Sequence, residues 1–218
     1  MIEAPEARIL SEQLNETVRG KKITDVYTQF SPHKFAWFTG SPDEYAGWLS
    51  GKTIDHAQSQ GGMVEITIGD KVLVLTDGVN LRYLSPGTKL PAKHQLLIAF
   101  EDESCLIASV RMYGGMMCYD KDATAGTLSE YYLTAKSKPQ VMSDDFTKEY
   151  FLGLINAESA QKKSAKAFLA TGQTIPGLGN GVLQDILYHT RIHPKKKIAG
   201  LTDKEKENLF YQVKETMN

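Results

Sequence analysis

The spacing of apolar positions changes period along the chain. Ala7, Leu10, Leu14 and Val18 recur at helical spacing behind Pro5, a residue suited to a first turn, and Gly20 follows them, so a helix is predicted over 4–19. Residues 22–30 read as a strand. Ser41-Pro42-Asp43-Glu44 has the form of a capping box with proline at the first helical position, and a short helix should run from it to about Ser50. Short β-type runs then follow closely, over 53–58, 63–68, 72–76, 81–84, 95–101, 105–110 and 116–119. Turn formers such as Gly69-Asp70, Asp77-Gly78 and Ser85-Pro86-Gly87 separate them. Strands at that regular spacing predict an antiparallel sandwich or barrel.

Beyond about residue 125 the period becomes helical. Helices are predicted over 126–135, 144–156 behind Ser143, 159–170, 180–191 and 203–217, the last opening on a second capping box, Thr202-Asp203-Lys204-Glu205. A β-rich half followed by an α-rich half predicts an α+β chain of two domains, over 1–125 and 136–218. The polar stretch Lys136–Met142 is the expected junction, with Lys121–Gly126 as the other candidate.

Composition narrows the class. A chain of 218 residues can bury a core without a disulfide or a metal. Cys105 and Cys118 sit in apolar surroundings outside any CxxC pair and read as reduced core thiols, so no zinc ligation is expected. No apolar run approaches a membrane span, and Met1-Ile2-Glu3-Ala4-Pro5-Glu6 lacks the basic and apolar segments of a signal peptide, which makes the cytoplasm the expected location. The formal net charge of -1 argues mildly against a nucleic-acid binder, but its distribution does not. Between Lys162 and Lys197 seven basic residues face one acid, Asp185, with His189 and His193 beside them. That asymmetry suits a face that meets a polyanion; it equally suits a solvated lysine surface.

Candidate chemistry concentrates in Thr174-Ile175-Pro176-Gly177-Leu178-Gly179-Asn180, which lies between two predicted helices. Two glycines allow close backbone approach, and Asn180 stands at a helix N-terminus, where unpaired N–H groups and the helix dipole favour an anion. Taken alone, the segment reads as well as an ordinary helix connection with an asparagine cap.

The wider pattern decides between these readings. Gly177-Leu178-Gly179-Asn180, an amphipathic helix and then Arg191-Ile192-His193-Pro194 resemble the G-x-G-N…I-H-P helix-two-turn-helix module of the formamidopyrimidine-DNA glycosylase / endonuclease VIII (Fpg/Nei) family. Glu3, Pro5 and Glu6 match that family's Met-Pro-Glu-x-Pro-Glu opening. Arg111 and Tyr113 in Val110-Arg111-Met112-Tyr113-Gly114-Gly115 match its Arg-Arg-Phe-Gly loop, with Met112 replacing the second arginine. The resemblance covers about residues 1–215. It implies a β-sandwich with flanking helices followed by a helix-two-turn-helix domain, a monomer, and damaged double-stranded DNA as partner. It further implies that Gly179 and Asn180 clamp a phosphate beside the lesion, with Lys163 and Lys166 as further phosphate contacts. Arg111 and Tyr113 would fill the gap left by a flipped nucleotide, which offsets part of the cost of extrusion.

In this family an N-terminal proline amine attacks the sugar C1′, releases the base and forms a Schiff base from which the strand is cut; carboxylates at the Glu3 and Glu6 positions shuttle protons and steady the sugar. Here Ile2 occupies the proline position, so the amine belongs to Met1, or to Ile2 if Met1 is removed. A shift of one residue moves the nucleophile by up to about 3.6 Å. The family's hairpin lysine has no counterpart in Gln60-Gly61-Gly62-Met63, and the chain ends at Asn218 without the family's four-cysteine zinc finger, so no cofactor is expected. The expected function is therefore base-excision repair: binding damaged duplex, flipping the lesion and cleaving its N-glycosidic bond, with abasic-site lyase activity through the terminal amine. A catalytically impaired reader of damaged or abasic DNA is the alternative, and a protein-interaction module that reuses the fold is a third.

Overall fold

The computed structural model describes all 218 residues. They divide into two compact units, one formed by Met1–Ile2, Glu6–Ser59 and Met63–Leu128, the other by Glu3–Pro5, Gln60–Gly62 and Ser129–Asn218. The class is α+β, as the order of periods predicts.

The first unit is built on strands β1 (Ile23–Thr28), β2 (Ala36–Phe38), β3 (Ile54–Gln60), β4 (Met63–Ile68), β5 (Lys71–Leu84), β6 (Leu96–Phe100) and β7 (Cys105–Asp120). They form one sheet of order β1-β6-β7-β5-β4-β3, with β2 beside β7. β1–β6, β6–β7, β7–β5 and β5–β4 pair antiparallel, and β2 joins β7 parallel. The expected sandwich is this single sheet folded over. Lys71–Asp77 of β5 pair with Gly114–Asp120 of β7, the register slips between Asp77 and Val79, and Val79–Leu84 then pair with Cys105–Val110. Val64, Ile66, Leu73, Leu75 and Met116 from one half of the sheet share a core with Leu96, Ile98, Leu106 and Ala108 from the other. Two pairs of predicted strands are thus single bent strands, because the ladder resumes beyond a bulge that reads in sequence as a turn. β2 escaped prediction: three residues, Ala-Trp-Phe, carry no period.

Helix α1 (Ala4–Thr17) closes this core with Ala7 and Leu14. A 3-10 turn at Pro42–Glu44, where the Ser41 N–H donates to Glu44 Oε2 at 3.3 Å, leads into α2 (Tyr45–Leu49). Tyr45 is wholly buried and ties three segments together. Its hydroxyl accepts the Thr39 N–H at 3.0 Å and the Cys118 N–H at 3.1 Å and donates to the Met116 carbonyl at 2.8 Å. Burial pushes the phenol well above its ordinary pKa and pushes the Cys118 thiol up to about 12.

The second unit holds α3 (Glu130–Lys136), α4 (Lys148–Asn156), α5 (Glu158–Gln161), α6 (Ala165–Ala170), α7 (Asn180–Thr190) and α8 (Asp203–Met217). Ser129, Thr147, Ser164 and Thr202 cap four of these by accepting N–H bonds from Tyr132, Tyr150, Ala167 and Glu205. The caps account for the differences from sequence. The helix expected from 126 starts at Glu130 behind Ser129, the one expected behind Ser143 starts behind Thr147, and the one expected over 159–170 is cut in two by Ser164. Phe146, Phe151, Phe168 and Phe210 pack ring to ring at the centre of the helical core. No helix is long and apolar enough to cross a membrane.

Two outcomes follow. Tyr45→Phe leaves the buried Cys118 N–H, the half-buried Thr39 N–H and the Met116 carbonyl without this partner and should cost about 1–3 kcal/mol, measured as a lowered urea midpoint. Cys118 should resist alkylation in the folded protein at mildly alkaline pH and react on unfolding, because its thiolate is scarce while buried.

Candidate functional site

In the helical unit, the turn before α7 is shaped by close contacts rather than by open space. Gly177 lies at φ +79°, a left-handed conformation that only glycine adopts without steric cost. A Cβ there would stand 2.5 Å from the Gly61 carbonyl carbon, 2.6 Å from the Gly62 nitrogen and 2.7 Å from Ala4 Cβ. Its carbonyl accepts the Ala4 N–H at 2.9 Å. Gly179 is the N-cap of α7, and a Cβ there would lie 2.3 Å from Glu3 Oε1.

The Glu3 carboxylate explains that contact. Oε1 accepts the Gly181 N–H at 2.8 Å and Oε2 the Val182 N–H at 2.9 Å. Two first-turn donors and the helix dipole thus hold a side-chain anion from the same chain. Sequence reasoning left these donors open for a phosphate; the structure fills two of them with Glu3. Asn180, the first residue of α7, remains exposed at the lip of this turn.

Hairpin tip Gln60–Gly62 is held by Gln140. The Gly61 N–H donates to Gln140 Oε1 at 2.6 Å, while Gln140 Nε2 donates to the carbonyls of Ala135 at 2.9 Å and Lys138 at 3.1 Å. A side chain at position 61 would meet Pro176, its Cβ 2.9 Å from the proline Cβ. The basic stretch is assembled by two paired segments. The Ala165 N–H donates to the Lys196 carbonyl at 2.8 Å, the Ile198 N–H to Lys163 at 3.1 Å and the Lys166 N–H to Pro194 at 3.0 Å. Lys163 and Lys166 therefore share one ribbon with Lys195, Lys196 and Lys197. Lys138 joins them: burial first, and the Lys163 charge second, hold its ammonium below the usual lysine pKa.

In the sheet unit, Met1 is exposed while Ile2 is a core residue. The Ile2 N–H donates to the Asp77 carbonyl at 2.5 Å. Asp77 sits at φ +57°, at the slip in the β5–β7 ladder, and pairs with Gly114. Arg111, Met112 and Tyr113 occupy the interruption on the opposite strand, and all three are exposed. Tyr113 leans on Trp37 of β2, with ring centroids 6.0 Å apart. Glu6 is exposed in the first turn of α1.

The structure thus gathers Glu3 and Gly179 at the start of α7, Lys163 and Lys166 on the lysine ribbon, and Ile2 at the bulge that presents Arg111 and Tyr113. Three participants escaped the sequence reading. Asp77 looked like half of an Asp-Gly turn, Trp37 lay in an unassigned segment, and Gln140 stood in a polar junction; only the fold reveals their partners. The residues present do not fit a structural zinc. Cys105 and Cys118 are both buried, and no group of three or more His, Cys, Asp or Glu side chains could hold a metal.

The family model described as "Formamidopyrimidine-DNA glycosylase N-terminal domain" matches residues 1–148. The chain is 28% identical over 220 residues to a formamidopyrimidine-DNA glycosylase of Shouchella clausii, covering all of this chain and 76% of that protein. It is 26% identical over 208 residues to one from Lactococcus lactis, covering 93% and 72%. Among solved structures, Lactococcus lactis Fpg with DNA containing an abasic site superposes with a TM-score of 0.81 at 22% identity, over 98% of this chain and 77% of that one. MutM in complex with DNA containing carbocyclic 8-oxo-G gives 0.81 at 23%, over 98% and 78%. These likenesses to solved structures show the fold.

Gly177→Ala, which adds a backbone clash to a left-handed φ, should destabilise by on the order of 2–4 kcal/mol in urea denaturation. Gly172→Ala, at φ +65° but with nothing near the new methyl, should cost about 1 kcal/mol.

Proposed function

The chain belongs to the formamidopyrimidine-DNA glycosylase family, and from that premise we propose that it binds damaged duplex DNA, extrudes the lesion nucleotide and cleaves its N-glycosidic bond. The observation that carries this reading is the bulge at Asp77. It holds the Ile2 backbone, and with it the residue bearing the terminal amine, on the strand pair that exposes Arg111 and Tyr113. A nucleophile and a pair of intruding side chains are what extrusion and base release require.

In this mechanism the Met1 amine attacks the sugar C1′, the C1′–N bond to the base breaks, and the base leaves with a proton. The Schiff base then formed at C1′ acidifies the C2′ hydrogen; its loss expels the 3′ phosphate and nicks the strand. Glu6 stands in the exposed first turn as the proton-transfer carboxylate. Glu3, bound through both oxygens to the start of α7, acts chiefly as an anchor for the N-terminal segment. Asn180 and the lip of that helix clamp a phosphate beside the lesion, and Lys163 and Lys166 extend the contact along the backbone. The chemistry runs on an amine and carboxylates and needs no cofactor. Two buried free thiols suit a reducing cytoplasm, and we read the protein as a monomer there.

The departure at position 2 defines the competing outcome. Ile2 stands where the family has its amine-bearing proline, and its N–H is engaged by Asp77. If Met1 carries the only free amine and cannot reach C1′, the protein is a reader of abasic or damaged DNA with the same binding residues.

Borohydride trapping on a duplex with an abasic site separates the two. An adduct on the N-terminal peptide is expected; tight binding without any adduct would establish the reader. Asn180→Ala should weaken binding to this duplex about tenfold, as loss of a charge-assisted phosphate contact does, in fluorescence anisotropy at fixed salt.

A further inference from the structure

Beside the bulge lies a surface that glycosidic cleavage does not use. Phe30, Phe35 and Trp37, on segments hydrogen-bonded to one another, are 66%, 48% and 48% exposed, and Trp37 leans on the exposed Tyr113 of the bulge. Single exposed aromatics are unremarkable on a protein surface, but three on joined neighbouring segments are not. They are held in place. The Gln29 N–H donates to the Gln95 carbonyl at 2.7 Å, the Ser31 N–H to the His94 carbonyl at 3.0 Å, and the Gly114 N–H to the Phe35 carbonyl at 3.0 Å. The buried Gln95 side chain joins the three segments: Nε2 donates to the Ser31 carbonyl at 2.8 Å, and Oε1 accepts the Val110 N–H at 2.7 Å. Phe30 stacks on His94 with centroids 4.5 Å apart, and the Lys34 ammonium sits 5.4 Å from the Phe35 ring centroid.

The charge of these segments has one sign. Residues 29–38, 89–95 and 110–114 contain Lys34, Lys89, Lys93 and Arg111, with His33 and His94, and no acid. A cleft of about 240 Å³ opens among them, lined in part by Gln29, His33, Lys34 and Gln95. It is smaller than the roughly 300–1,000 Å³ of pockets for drug-sized ligands. Flat exposed rings interleaved with cations match one ligand chemistry, unpaired nucleobases on a phosphate backbone: the rings stack on bases of any sequence and the cations track the phosphates.

We infer that the surface formed by Phe30, Phe35 and Trp37 beside Tyr113 is a stacking platform for unpaired bases of a DNA strand. This rests on the DNA-repair reading above and deepens it. The protein then prefers a lesion whose neighbours are unpaired, in a bubble or a strand end, over the same lesion in fully paired duplex.

The test compares an abasic site in paired duplex with the same site in a short bubble, by anisotropy at fixed salt. Wild type should bind the bubble about tenfold more tightly, the scale of one stacked base. The double variant Phe30→Ala/Phe35→Ala should lose that preference and keep its affinity for paired duplex. Equal wild-type binding to both DNAs, or equal loss on both in the variant, overturns the platform. Failure of wild type to bind the paired abasic duplex would instead overturn the repair reading. A second measurement needs no aromatic deletion near the fold: oligothymidylate should quench Trp37 fluorescence, with Trp37→Phe as the blank. An unchanged Trp37 signal overturns the inference, including the case in which the surface serves a protein partner.

Discussion

The two-residue slip at Asp77–Gly78, where Arg111–Tyr113 of β7 stand opposite Gly78 alone, is the constraint on which the sheet unit depends. Without it, β5 and β7 would run on as a flat ribbon, and the two halves of the sheet would not close on one core. The slip bends both strands at the same level, so Leu73 and Leu75 can face Leu106 and Ala108. It also breaks the ladder on the opposite strand, which leaves Arg111–Tyr113 unpaired and pointing outward. Asp77, turned to a positive φ, offers its carbonyl to Ile2. The fold-over of the core and the exposure of Arg111–Tyr113 are thus two results of one irregularity.

The helical unit obeys a different rule. Two of its first-turn donors on α7, the Gly181 and Val182 N–H groups, are satisfied by Glu3, a residue far away in sequence, and both motif glycines are needed because other parts of the chain come so close. An apparent ligand-binding signature is thus first a packing requirement. The two explanations do not compete: backbone that approaches its own chain this closely stays rigid, and a rigid turn can hold Asn180 at a fixed place on the surface.

Much of this was legible in the chain. The change from period two to period 3.6 placed the α-rich half after the β-rich half, and the capping box at Thr202 marked the start of α8 to the residue. What could not be read was nonlocal. A bulge and a turn share the dipeptide Asp-Gly, and only the partner strand distinguishes them. Ser129, Thr147 and Ser164 competed as caps with other serines and threonines, and tertiary packing chose among them. At the candidate site, Glu3, Gly179 and Asn180 stood out through a motif, but the direct bond between Glu3 and α7 spans nearly the whole sequence. Trp37 and Gln95 carry no motif: the place of Trp37 beside Tyr113 follows from the pairing of β2 with β7, and that of Gln95 from its bonds to Ala108 and Val110 of β7.

The burial of Ile2 beneath an exposed Met1 has a practical side. Position 2 serves as a plug in the core, whereas position 1 is half exposed and carries the amine that the proposed chemistry uses. An extension fused ahead of Met1 would therefore leave the fold undisturbed while converting the terminal amine to an amide. Under the proposed mechanism a tagged preparation would fold and yet form no adduct, so where the purification handle is placed decides which activity is seen.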